Sequence, residues 1–168
     1  MGGMFLKYAI SKAQSGKPWL FGRIMQEVIP FNRPHRISVV ELSAKGCKVF
    51  LPDRRRNRNH LGTMHACAIA TASEYVSGLN IVEAFDMSKF RLIMSKMEVD
   101  YLRRPNGSCI AESSLSKSNL NLINKWLDAE GVAKFAMVST VTDSKKNEIV
   151  AKATIHWQVK SWKKVLVK

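Results

Sequence analysis

The order of apolar and polar positions divides the chain into helices and strands. Residues 4–14 are amphipathic and predict a helix. Pro18 then opens a second helical stretch over residues 19–28, which Pro30 stops. Residues 37–42 and 48–51 are β-branched or apolar runs parted by Ala44, Lys45 and Gly46, a hairpin pattern. The apolar stretch 64–76 predicts a helix with Thr63 as its N-cap and Gly78 at its end. Residues 97–101 alternate strictly, 104–107 read as a turn, and 108–115 return as a strand, so these two are expected to form a hairpin. Leu122, Trp126 and Leu127 give helical spacing within 118–130, which Gly131 closes. Residues 135–142 and 149–159 make a further hairpin through a polar turn at 143–147. In its second strand Ile149, Ala151, Ala153, Ile155, Trp157 and Val159 share one face, opposite Lys152, Thr154, His156 and Gln158.

Hairpin connections imply an antiparallel sheet, and a sheet with one apolar face needs a cover. Only the helix over 64–76 is apolar enough to supply it. The expected fold class is therefore α+β, with about six antiparallel strands around one long central helix. The length suits a single domain over residues 1–168, residues 1–30 forming a helical extension. Internal repeats and low-complexity segments are absent from the sequence.

Charge changes this picture in one respect. Lys and Arg number 27 against 13 Asp and Glu, a net +14 that attracts polyanions. The local concentration is Arg54, Arg55, Arg56 and Arg58, with a weaker one over 160–168. This loop reads either as a solvated surface or as a phosphate site, since guanidinium groups match phosphate geometry. A nucleic acid or an anionic membrane surface would suit the charge too. Single-strand nucleic-acid platforms interleave aromatics with basic residues, and Arg54 to Arg58 contain none, so a nucleic-acid partner is not expected. The three cysteines are widely spaced and the four histidines show no ligand spacing, so neither disulfides, metal nor cofactor is expected. A reducing cytoplasm fits these thiols. Apolar runs are interrupted well before the length of a membrane span, and the first residues lack a targeting pattern.

Within the thin, alanine-rich central helix stands Glu74, the only Asp, Glu, Lys or Arg between Arg58 and Glu83. A carboxylate there needs a partner, a raised pKa or a task. An ion pair with an arginine near the helix end would supply the first. The helix start offers a second site, because the Met64, His65 and Ala66 amides carry partial positive charge suited to a carbonyl oxygen. His65 itself reads first as an ordinary, partly buried histidine bonded to its neighbours. Nine residues separate His65 from Glu74, which puts them on opposite faces about 13.5 Å apart along the axis. If both serve one bond, two subunits must share each site, which implies a two-fold dimer.

The segment Asn59-His60-Leu61-Gly62-Thr63-Met64-His65-Ala66-Cys67, followed by Glu74, resembles the N-x-x-G-x-x-H-G-G motif of PaaI-type hotdog thioesterases, with the acid nine positions after the His. It is similar above all to a thioesterase-like branch, of the DUF4442 type, in which the glycines are relaxed. The resemblance covers about residues 36–160 and leaves the leading helices unexplained. It implies a hotdog fold and hydrolysis of an acyl-CoA. Glu74 would be the general base, or the nucleophile. Asn59 would hold the leaving group or the water, His65 would fix the loop and the Ala66 amide would polarise the carbonyl. Gly62 and Thr63 would border the substrate, with Arg54, Arg55, Arg56 and Arg58 toward the coenzyme A phosphates. Ala66-Cys67 departs from Gly-Gly and would narrow the site, Cys67 serving as a packing residue. The family implies a homodimer or a dimer of dimers. The alternative reading is a non-catalytic acyl or acyl-CoA binder; a hotdog dehydratase would need a His and an acid in another arrangement.

Overall fold

The computed structural model describes residues 10–11 and 17–165. The predicted helix over 4–14 lies, except for Ile10 and Ser11, outside the described residues. Helix α1, Pro18–Val28, begins at the proline, whose missing N–H costs nothing at a helix start. It buries Phe21, Gly22 and Met25 and packs on strand β1. Strands β1 (Ser38–Ser43) and β2 (Gly46–Leu51) form the expected hairpin. A short 3-10 turn at Arg55–Asn57 leads into α2, Ala66–Ala84. Then follow β3 (Phe90–Tyr101), β4 (Cys109–Ser113), α3 (Lys117–Glu130), β5 (Val132–Asp143) and β6 (Ile149–Ser161).

The six strands form one antiparallel sheet in the order β1-β2-β4-β5-β6-β3. Helix α2 lies across it, touching β2, β4, β5 and β6. Its buried residues run from Ala68 to Ile81 around the helix, which explains why the stretch reads as apolar on all sides. Small residues at Ala68 and Ala72 bring the helix backbone close to the sheet.

Four expectations are corrected. Residues 97–101 and 108–115 do not pair as a hairpin: β3 pairs with β6, Tyr101 opposite Ala151, while β4 lies between β2 and β5. Burial decides this, because Cys109 and Ala111 are wholly enclosed and suit an interior strand, whereas β3 carries exposed side chains along most of its length and suits an edge. The central helix does not end at Gly78 but continues to Ala84, with Gly78 in its interior beside the Trp157 indole. Its N-cap is His65 rather than Thr63, the imidazole Nδ1 accepting from the Cys67 N–H at 3.0 Å. On β6, Ala151, Ala153, Ile155, Trp157 and Val159 face the core as expected. Ile149 is exposed instead, and Val150 buried, because the register shifts between Val141 and Thr142.

Candidate active site

The approach to α2 is a folded loop. Asn57 is completely buried, and its side chain ties three segments together. Its Nδ2 donates to the carbonyls of His35 and Pro52, both at 2.9 Å, and its Oδ1 lies 3.0 Å from His35 Nδ1. Its own carbonyl accepts the His65 N–H at 2.7 Å. The Asn59 Oδ1 accepts from the Leu61 and Thr63 amides and from the Thr63 hydroxyl, closing a turn that needs Gly62 in left-handed backbone at φ 73°. Thus Asn59 shapes the loop through its oxygen.

Residues 57–59 and 63–65 run antiparallel through an isolated bridge between Arg58 and Met64. The Thr63 carbonyl and the His65 amide point into that bridge. By strand alternation the Met64 and Ala66 amides point the other way, and neither has an acceptor among the described residues. Of the three amides expected to be free, His65 is therefore excluded, and Met64 and Ala66 remain. Beside them lies a cavity of about 350 Å³, lined by Asn59, Thr63, Ala66 and Ile69 on one side and by Tyr101 to Pro105 on the other. The Tyr101 hydroxyl donates to the Ala66 carbonyl at 3.0 Å and fixes this wall.

Glu74 sits two turns further along α2, largely buried, in mid-helix rather than near an end. It has no hydrogen-bond or ion-pair partner among the described residues, so no arginine neutralises it. Loss of water around it pushes its carboxyl above the usual carboxylate range. One carboxylate oxygen lies close to Gly78, where the Trp157 indole also packs. The indole is held by its own N–H, which donates to Ser77 Oγ at 2.6 Å. Tyr75, next in sequence, is buried on the sheet side.

Comparison with known proteins places these features. The profile of the family described as "Domain of unknown function (DUF4442)" matches residues 17–159. The chain belongs to the DUF4442 family. Among solved structures, a Pseudomonas aeruginosa protein of unknown function, provisionally assigned as a thioesterase, is similar with a TM-score of 0.76 and 24% identity over 83% of this chain and 93% of its own. A candidate thioesterase of Shewanella oneidensis gives 0.68 at 13% identity, covering 92% and 98% respectively. A mutant of a Staphylococcus aureus thioesterase enzyme gives 0.64 at 11% identity, covering 78% and 98%. Curated proteins supply no match. This DUF4442 chain has the hotdog fold of thioesterase-like proteins.

Of the residues nominated from the sequence, Asn59, Thr63 and Ala66 meet at one cavity. Glu74 does not line it, nor do Gly62 or His65. His65 caps the helix and is exposed. Cys67 is exposed as well, not a packing residue. Arg58 forms a two-pronged pair with Asp53 at 2.7 and 2.8 Å, holding that carboxyl below its ordinary range. Arg54, Arg55 and Arg56 are exposed without an ion pair among the described residues. Sequence reasoning missed Tyr101, Arg103 and Arg104, which wall the cavity from a segment read only as strand and turn. It also missed Asn57, whose type is ordinary in a polar loop and whose importance lies in burial.

Proposed function

We propose that this chain is an acyl-CoA thioesterase in which Glu74 acts as general base within a two-fold dimer. The observation that carries this reading is Glu74 itself: a partly buried, unpartnered carboxylate on the central helix of a fold shared with thioesterases. A base of raised pKa suits proton abstraction from water near neutral pH. Water attacks the thioester carbonyl as Glu74 takes its proton. The oxyanion is received by the Met64 and Ala66 amides at the positive end of α2. Collapse breaks the carbon–sulfur bond, and the leaving thiolate recovers the proton from Glu74.

One protomer does not bring these groups together, since Ala66 and Glu74 are about 12 Å apart along the axis of α2 and Glu74 does not line the cavity beside the amides. The free edge of β3 provides for a second. Among the described residues this strand of 12 pairs only with β6, and its exposed Ile93 and Met94 favour a copy of itself over open water. Such pairing turns the helix start of one protomer toward Glu74 of its partner. Arg103 and Arg104 at the cavity mouth, rather than Arg54 to Arg56 alone, are then positioned for the anionic part of the substrate.

The second reading, an acyl-CoA binder without turnover, is favoured by one observation: the Asn59 oxygen is occupied by three loop hydrogen bonds. Release of free thiol from short, medium, long and aromatic acyl-CoAs separates the two. The enzyme reading expects turnover that collapses in Glu74→Ala. Tight binding without thiol release supports the binder.

A further inference from the structure

The positive charge is only partly used by a thioester site, and a second basic surface lies far along the chain from Glu74. On α1, a spacing of four places Trp19, Arg23 and Glu27 on one face, turned away from Phe21, Gly22 and Met25, which are buried against β1. Trp19 is 58% exposed, and Phe31, in the turn that follows the helix, is 70% exposed. Between them in sequence and beyond lie the residues of a cavity of about 400 Å³: Arg23, Gln26, Glu27, Arg33 and Arg36. Glu27 is ion-paired with Arg33, which leaves Arg23 and Arg36 without a carboxylate among the described residues. Arg36 ends the 3-10 turn Pro30–His35 in left-handed backbone at φ 54°, its N–H donating to the Arg33 carbonyl. In the same turn the Asn32 Nδ2 is buried without an acceptor.

We propose that this face docks the protein on an anionic phospholipid bilayer. Trp19 and Phe31 enter the headgroup layer while Arg23 and Arg36 take lipid phosphates. Charge complementarity favours this occupant. Three arginines stand against one carboxylate on a chain of net +14, and basic clusters bind anionic leaflets in proportion to their number. The aromatics select a membrane over a soluble phosphate, because a small anion gains nothing from two exposed rings, whereas interfacial Trp and Phe side chains gain from partial burial among headgroups. None of this requires spanning, and no helix among the described residues is long and apolar enough to cross a bilayer.

The test is co-sedimentation of the full chain with vesicles of phosphatidylcholine alone and of phosphatidylcholine with phosphatidylserine, an assay that contains no thioester and so stands apart from the proposed catalysis. Binding is expected only with phosphatidylserine. It should weaken about fivefold for each of Arg23→Gln and Arg36→Gln, and further for Trp19→Ser with Phe31→Ser. The Arg54→Gln, Arg55→Gln, Arg56→Gln triple variant should bind more tightly than the Arg23→Gln, Arg36→Gln pair. Circular dichroism melting confirms that each variant is folded. Absence of binding to the mixed vesicles, equal loss in the triple variant, loss on adding inorganic phosphate at constant ionic strength, or preference for a DNA oligonucleotide would each overturn the proposal.

Discussion

Glu74 gathers the consequences of a single charge placed in a poor solvent for it. Its carboxyl is raised by burial, so the folded chain holds the proton more tightly than the unfolded chain does. The stability that goes with the protonated form is fully present below the ordinary carboxylate pKa, and is lost as pH rises through the raised one. Glu74→Gln should therefore unfold at higher denaturant concentration than the parent at neutral pH, with the gap closing in mild acid; chemical denaturation at two pH values measures it. Asn57 is the opposite case, a buried polar group with every atom of its amide engaged. Asn57→Ala removes three side-chain hydrogen bonds and should cost about 3 kcal/mol in denaturant unfolding. The sequence displays Glu74 because a charge in an apolar run is conspicuous. It hides Asn57 because a polar residue among arginines is not.

At the scale of elements, the start of α2 offers a clean separation of fold from chemistry. Ala66 occupies the first helical position, and His65 before it is extended at φ -70° and ψ 137°, so proline fits there without strain. Ala66→Pro deletes one of the two unengaged amides. It should leave the melting temperature nearly unchanged while slowing thioester turnover about a hundredfold, as parallel melting and rate measurements would reveal. Further along the helix, a Cβ on Gly78 would rest 3.4 Å from the Trp157 ring, an ordinary contact. Gly78→Ala is thus expected to stabilise by about 0.5 kcal/mol through reduced backbone freedom, read from the same denaturation curves.

The elements themselves were largely legible, because periodicity reports which way a side chain faces. Pairing was not. The turn at 104–107 separates two strands that a local reading joins, yet the sheet inserts β6 and β5 between them. Alternation in 97–101 is the same for an edge strand as for half of a hairpin, and only burial of Cys109 and Ala111 tells which strand is interior. The site was legible to the same degree. The loop motif led to Asn59, Thr63 and Ala66, whereas Tyr101, Arg103 and Arg104 arrive through a long-range packing that no spacing encodes.

Across the whole molecule, the account makes the active unit larger than the chain. If each site draws its amides from one protomer and its carboxylate from the other, Glu74→Gln and Ala66→Pro are separately slow but complement each other. Mixing and re-forming the two should restore about a quarter of the parental rate, because half of the dimers are hybrid and each carries one intact site. A monomeric enzyme would show no recovery.

The central claim, hydrolysis with Glu74 as the base, is met most directly by one kinetic comparison. Initial rates of thiol release from acyl-CoA are measured for the parent and Glu74→Gln across pH, with the oligomeric state checked for both. The account predicts a parental rate that falls on the acid side with an apparent pKa above the usual carboxylate range. In Glu74→Gln that limb should vanish and the rate should drop by about 10²- to 10⁴-fold. A variant that keeps the parental rate and the same acid limb would contradict it, and would move the base elsewhere in the molecule.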